Sequence, residues 1–210
     1  MTVMLTAAEG RNVLDRIDSP RLVLVEGSDD QAIIAALIRQ ESLDGFHVHN
    51  MVGKDKWSGR LLAICRVAGF GKVLGLGLVR DADDDAQGTL ASCKTTLARA
   101  RLPVPDMAGQ LAEGRPSVAV AIVPTSDGIG AIEEVCLPSF DEGRMACVDN
   151  YFACLATTGQ IRTKARVQVY LAGESPQCRD LKVAANSGVL NLAHGTFDGL
   201  REFLHELRSA

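Results

Sequence analysis

Four short, almost wholly apolar runs constrain the fold of this chain more than any other feature of its sequence. They are RLVLVEG (21–27), GFHVHNMVG (45–53), KVLGLGLVRDAD (72–83) and SVAVAIVP (117–124). Runs of this length and apolarity are typical of strands that are buried on both faces of a parallel sheet. A segment with apolar residues at helical spacing follows each run, at 28–40, 56–69, 85–102 and about 131–137. The alternation predicts an α/β fold, with a mainly parallel central sheet and helices on both of its faces.

The last third of the chain has a different pattern. From about residue 141 the strand signal fades, and the stretches 143–159 and 196–209 are typical of amphipathic helices. The stretch 162–174 fits either a strand or a helix, and we favour the helix. We therefore predict an α/β core over residues 1–140 and a helical C-terminal extension over residues 141–210, packed on the core as one compact unit.

Composition narrows the class of protein. The apolar fraction is 47% and the charged fraction 23%, as in ordinary globular proteins. No apolar run is long enough to span a membrane, and the N-terminus, MTVMLTAAEG, has no basic segment and no long apolar core of a secretory signal. We therefore expect no membrane association and a cytoplasmic location. The pair of histidines in HVH (47–49) has no third ligand nearby in the sequence, which favours a strand with one solvated face over a zinc site.

Acidic residues stand at the carboxyl ends of three of the four predicted strands. The three segments are VEGSDD, RDADDD and PTSDGIGAIEE. Ligands of parallel-sheet proteins bind at this edge of the sheet. Asp81 and Asp83 are two residues apart and on an extended chain would point the same way, while a short loop separates Glu26 from Asp30. The pattern predicts that these side chains face one crevice.

Two interpretations of the acidic residues compete. One is a solvated turn that caps a helix, which we favour for Asp84 and Asp85. The other is a divalent metal site, because carboxylate oxygens suit Mg²⁺ and Mn²⁺ better than zinc. For Asp81 and Asp83 taken alone, the capping turn and the metal site are equally supported. The alignment of three acidic strand ends favours the metal site. The candidate ligands, in order of preference, are Glu26, Asp81, Asp83, Asp30 and Glu133.

Together, LVEGSDD, GLVRDAD and GIGAIEE resemble the TOPRIM domain, in particular small stand-alone TOPRIM-like proteins related to the OLD-family nucleases. The family pattern is a strand ending in Glu-Gly with an acid four residues after the Glu, then a strand ending in Asp-x-Asp. Further matches are Gly53-Lys54 after the second strand, Gly130-x-x-Glu133 after the fourth and Lys164 near the start of a helix. The resemblance spans about residues 20–208 and implies a TOPRIM-like, Rossmann-related fold.

The resemblance also implies a chemistry. It implies two Mg²⁺ or Mn²⁺ ions held by the five carboxylates, with Lys54 and Lys164 as catalytic residues that offset charge on a phosphate. The expected activity is that of a metal-dependent phosphodiester hydrolase, a nuclease that acts on DNA or RNA. The alternative is a non-catalytic metal- or nucleotide-binding module that works with a partner protein. A net charge of −4 and an aromatic content of 4% give a nucleic-acid-binding surface little support.

Overall fold

A six-stranded sheet forms the centre of the protein in a computed structural model, which describes residues 4–6, 14–53, 56–124, 128–155, 163–174 and 178–210. Its strands, in chain order, are β1 (Met4–Thr6), β2 (Arg21–Val25), β3 (Phe46–Asn50), β4 (Gly75–Asp81), β5 (Leu111–Ala112) and β6 (Ser117–Val123). Their order across the sheet is β1-β3-β2-β4-β6-β5. All neighbours are parallel except β5 and β6. The predicted mainly parallel sheet is therefore confirmed.

Eight α-helices surround the sheet in the described part of the chain. They are α1 (Ser28–Gln40), α2 (Trp57–Ile64), α3 (Ala86–Arg99), α4 (Ile132–Cys136), α5 (Glu142–Cys154), α6 (Thr163–Ala172), α7 (Leu181–Ser187) and α8 (Asp198–Ser209). The helix favoured for 162–174 is confirmed over Thr163–Ala172 by α6. The predicted helix 143–159 is confirmed up to Cys154, and residues 156–159 lie outside the described part.

The two faces of the sheet carry separate hydrophobic cores. Along β2, Leu22 and Leu24 contribute to the core beneath α2 and α3, whereas Val23 and Val25 contribute to the core beneath α1 and the C-terminal helices. Successive side chains of a strand point to opposite faces, so an apolar strand such as β2 serves both cores at once. Helices therefore cover both faces, as the sequence predicts.

The C-terminal helix α8 lies directly on β4. A Cβ atom at Gly77 would stand 2.5 Å from Leu207 Cδ1 and 2.7 Å from Phe203 Cζ. Only glycine allows the helix to approach the strand so closely. Arg21, the first residue of β2, binds the C-terminal end of α8. Its Nε donates a hydrogen bond to the carbonyl oxygen of Leu207 at 3.1 Å.

The expectation of a solvated face on β3 is wrong. Both His47 and His49 are buried, because β3 is an interior strand of a sheet that has a core on each face, so that all five of its residues are covered. Burial lowers the pKa of His47 and lowers that of His49 to about 4, so both are neutral at pH 7. None of the helices in the described ranges has the length and apolar character needed to cross a bilayer.

Candidate metal site

A cleft of about 1000 Å³ lies at the carboxyl ends of the parallel strands. It forms there because β2, β4 and β6 run in the same direction, so that their ends and the loops that follow share one edge of the sheet. All five candidate ligands line this cleft, as does Lys164; the ligands are Glu26, Asp30, Asp81, Asp83 and Glu133. Glu26 and Glu133, which are 107 positions apart in the sequence, thus line the same cleft.

Asp81 occupies the centre of the acidic group. It is the last residue of β4, and its Oδ1 accepts a hydrogen bond from the backbone N–H of Ile132, the first residue of α4, at 3.2 Å. Burial, followed by the charges of Asp30 and the other candidate ligands, raises the pKa of Asp81 to about 8. At neutral pH and without a cation, this carboxyl group therefore carries a proton.

Asp30 combines a capping role with a place in the cleft. The N-cap of α1 is Gly27, and Asp30 Oδ2 accepts a hydrogen bond from the backbone N–H of Gly27 at 2.9 Å. A Cβ atom at Gly27 would stand 2.9 Å from that oxygen, so a side chain there would force the carboxylate to move. Burial of Asp30 and the charges of Glu26 and Glu133 raise its pKa to about 7 despite this hydrogen bond.

Asp83 reaches the cleft by a different route from the one predicted. The strand ends at Asp81, and Asp83 has a left-handed backbone with φ of 50°. Aspartate tolerates this conformation better than most residues. Its backbone N–H donates to the carbonyl of Gly130 at 2.8 Å and its carbonyl accepts the N–H of Gly130 at 2.6 Å. This two-bond bridge ties the end of β4 to the loop that leads into α4 and Glu133.

Glu133 and Lys164 form an ion pair across the cleft. Glu133 lies in the first turn of α4 and is buried, and its Oε1 is 3.1 Å from Lys164 Nζ at the start of α6. The hydrogen bond to Glu133 and the charge of that residue raise the pKa of Lys164. The Lys164 side chain is 69% exposed, so its ammonium group is open to a ligand in the cleft. Lys54 lies outside the described residues, but its neighbour Gly53 lines the cleft.

Glu26 has a partner that the sequence analysis overlooked. Its Oε2 accepts a hydrogen bond from Arg80 Nε at 2.8 Å; the Arg80 side chain is buried and that of Glu26 is partly buried. The guanidinium of Arg80 lies 4.6 Å from the centre of the Trp57 ring. The sequence signal was present, since Arg80 is a charged residue in an otherwise apolar strand, immediately before Asp81.

The carboxylates are engaged by the protein itself. Arg80, Gly27, Ile132 and Lys164 each contact one of them. Within the described ranges, no group of three or more His, Cys, Asp or Glu side chains is arranged so that it could hold a metal ion. The donor set nevertheless fits a hard divalent cation, because it offers only oxygen ligands and holds more negative charge than its neighbours offset. A cation there would displace protons from Asp30 and Asp81 and draw the side chains inward.

Comparison with known proteins places the chain in a family. The model of the family described as "Protein of unknown function (DUF3226)" matches residues 20–209, so the chain belongs to that family. The C-terminal region of the Xanthomonas campestris pv. campestris OLD protein is similar in structure, with 11% identity, a TM-score of 0.48 and coverage of 91% of this chain and 97% of that chain. The C-terminal region of the Burkholderia pseudomallei OLD protein is similar as well, with 11% identity, a TM-score of 0.46 and coverage of 91% of this chain and 98% of that chain. No curated protein matches the sequence.

Proposed function

We propose that this member of the DUF3226 family is a Mg²⁺- or Mn²⁺-dependent phosphodiester hydrolase with a TOPRIM-like core, a nuclease that acts on DNA or RNA. The observation that carries the proposal is the convergence of five carboxylates from three strand ends in one cleft. Their mutual repulsion and burial raise the pKa of Asp81 to about 8. Such a concentration of like charge is costly unless it holds a cation.

Each side chain has a distinct part in this proposal. Glu26, Asp81 and Asp83 would hold the ions together with Asp30 and Glu133. When bound, two divalent ions supply an activated water and stabilise the leaving oxygen of a phosphodiester. Lys164, whose ammonium group is exposed beside Glu133, offsets negative charge on the phosphate. Lys54 is a second candidate for that role, since it follows Gly53 at the rim of the cleft.

The second candidate function is a binding module without catalysis, which takes up a metal ion or nucleotide and works with a partner protein. Two observations favour it. Protein groups already contact the carboxylates of Glu26, Asp30, Asp81 and Glu133, and a net charge of −4 leaves little positive surface to follow a nucleic-acid backbone. The two functions share one cation site and differ in whether a phosphodiester is cleaved.

A cleavage assay separates the two functions. Supercoiled plasmid, single-stranded DNA and RNA are incubated with the protein in Mg²⁺, Mn²⁺ or EDTA, next to Glu26→Gln and Asp81→Asn variants. A matched control is Asp149→Asn, which removes an exposed carboxylate that pairs with Arg166 on the surface. We expect metal-dependent cleavage that Glu26→Gln and Asp81→Asn lose and Asp149→Asn keeps. Metal binding without cleavage of any of the three substrates would favour the binding module.

A further inference from the structure

Arg80 is a buried charged residue in β4, an interior strand of the sheet. It is 7% exposed and lies in β4 beyond Leu78 and Val79, which are also buried. Moving a guanidinium and a carboxylate out of water costs free energy, and a pair of apolar residues often serves stability as well or better. The Arg80–Glu26 pair is therefore not explained by stability alone.

Three elements fix the position of the guanidinium. Arg80 itself comes from β4, and its Nε contacts Glu26 at the end of β2 at 2.8 Å. Its other side faces the ring of Trp57, the first residue of α2, at 4.6 Å. Trp57 is 3% exposed, so the stacking takes place away from water, where a cation–π contact is strongest. The guanidinium plane is consequently held from two directions.

Arg80 and Asp81, which are consecutive residues of β4, lie on opposite faces of the sheet. Asp81 points toward α4, where it accepts the N–H of Ile132. Arg80 points to the opposite face, toward α2, and donates a hydrogen bond to Glu26 there. Because Arg80 donates to Glu26 Oε2, it restricts the orientation of a carboxylate that lines the cleft.

We propose that Arg80 is a positioning residue that fixes the Glu26 carboxylate for cation binding, and that Trp57 holds Arg80 in place. The proposal rests on the proposed function, because it takes Glu26 as a cation ligand. Partners of this kind orient the ligands of metal sites elsewhere, and their loss weakens metal binding about 10- to 100-fold. The bidentate-capable, planar guanidinium suits this role, whereas a lysine ammonium offers a charge without a fixed plane.

The choice of substitution decides what the test measures. Arg80 also repels a cation through its charge, so removing the charge and removing the orientation would act in opposite directions on metal affinity. Arg80→Lys keeps the charge and removes the orientation. The effect of this variant on metal affinity therefore reports on positioning alone.

The chain contains a reporter at the required place. Trp57 is its one tryptophan and lies against Arg80. Mg²⁺ titration followed by tryptophan emission, and Mn²⁺ titration followed by electron paramagnetic resonance of the free ion, give two independent dissociation constants, one for each ion. We expect the emission of the wild type to respond to Mg²⁺ and that of Glu26→Gln not to respond at the same concentrations. Arg80→Lys should bind Mn²⁺ about 10-fold more weakly, while Arg166→Lys, in a pair with Asp149 that does not line the cleft, keeps the wild-type value.

The outcomes are distinct. Wild-type Mn²⁺ affinity in a folded Arg80→Lys variant would overturn the positioning role and leave the proposed function in place. If Arg80→Lys does not fold, Trp57→Phe tests the same role by the Mn²⁺ signal: several-fold weaker binding supports it, and unchanged binding overturns it. A wild type that binds neither Mg²⁺ nor Mn²⁺ would overturn the proposed function and this inference together.

Discussion

The acidic cluster should destabilise the protein when no cation is present, and Asp81→Asn should relieve that effect. The unfolded chain releases the Asp81 proton near its ordinary pKa of 3.8, but the folded protein holds it to about pH 8. Between these values the folded state binds more protons than the unfolded state does. The contribution of Asp81 to the free energy of unfolding therefore falls as pH rises through this window.

The size of the effect follows from linkage. Each proton contributes about 1.4 kcal/mol per pH unit. The difference in stability between Asp81→Asn and the wild type should thus grow in favour of the variant by about 3 kcal/mol between pH 5 and pH 7. The asparagine keeps an Oδ1 that can accept the Ile132 N–H, so the variant loses no hydrogen bond there. Buried histidines titrate equally in both proteins and cancel in the difference.

The measurement is chemical denaturation in EDTA at pH 5, 6, 7 and 8, with the free energy of unfolding obtained by linear extrapolation. Asp149→Asn serves as the control and should parallel the wild type, because Asp149 is an exposed surface residue. Parallel pH profiles for Asp81→Asn and the wild type would refute the argument. So would a variant that is less stable than the wild type at pH 7 and 8.

Two further predictions concern Lys164 and His49. Lys164 lies 3.1 Å from Glu133 and competes with a cation for that carboxylate, so Lys164→Met should bind Mn²⁺ several-fold more tightly. The same variant should hydrolyse phosphodiesters at least about 10-fold more slowly, because it no longer offsets negative charge on the phosphate. Weaker Mn²⁺ binding would contradict the assignment. Burial lowers the pKa of His49 to about 4, so the contribution of His49 to stability is lost as pH falls from about 6.5 to 4, by up to about 3 kcal/mol. The free energy of unfolding of His49→Leu minus that of the wild type should therefore rise by about that amount over this range, and a constant difference would contradict the assignment.

The sheet and the place of the site were predictable because both depend on local patterns and one geometric rule. Apolar runs such as RLVLVEG have no polar face, which demands helices on both sides of a parallel sheet. Parallel strands then bring their carboxyl ends to one edge, so Glu26 and Asp81 had to lie near each other although 55 positions separate them. The two short edge strands, β1 and β5, have too few residues to carry a pattern of their own.

The details of the site depend on contacts between distant residues, which the sequence pattern does not encode. The i, i+2 rule assumed an extended chain through Asp83, but the bridge to Gly130 holds Asp83 in a left-handed turn. The pairing of Arg80 with Glu26 requires knowledge of which strands are neighbours and which face each side chain occupies. Asp30 was expected beside the cleft, but its hydrogen bond to the Gly27 N-cap follows only from where α1 begins.

The central claim is that the carboxylates at the strand ends form a site for divalent cations. Crystals grown with Mn²⁺ and measured near the manganese absorption edge test it most directly, because anomalous scattering locates the ion without reference to activity. We expect two anomalous peaks in the cleft, within ligand distance of the carboxylates of Glu26, Asp81 and Asp83. Both peaks should be lost when Asp81→Asn and Asp83→Asn are combined. Manganese bound elsewhere, with none in this cleft at saturating concentration, would contradict it.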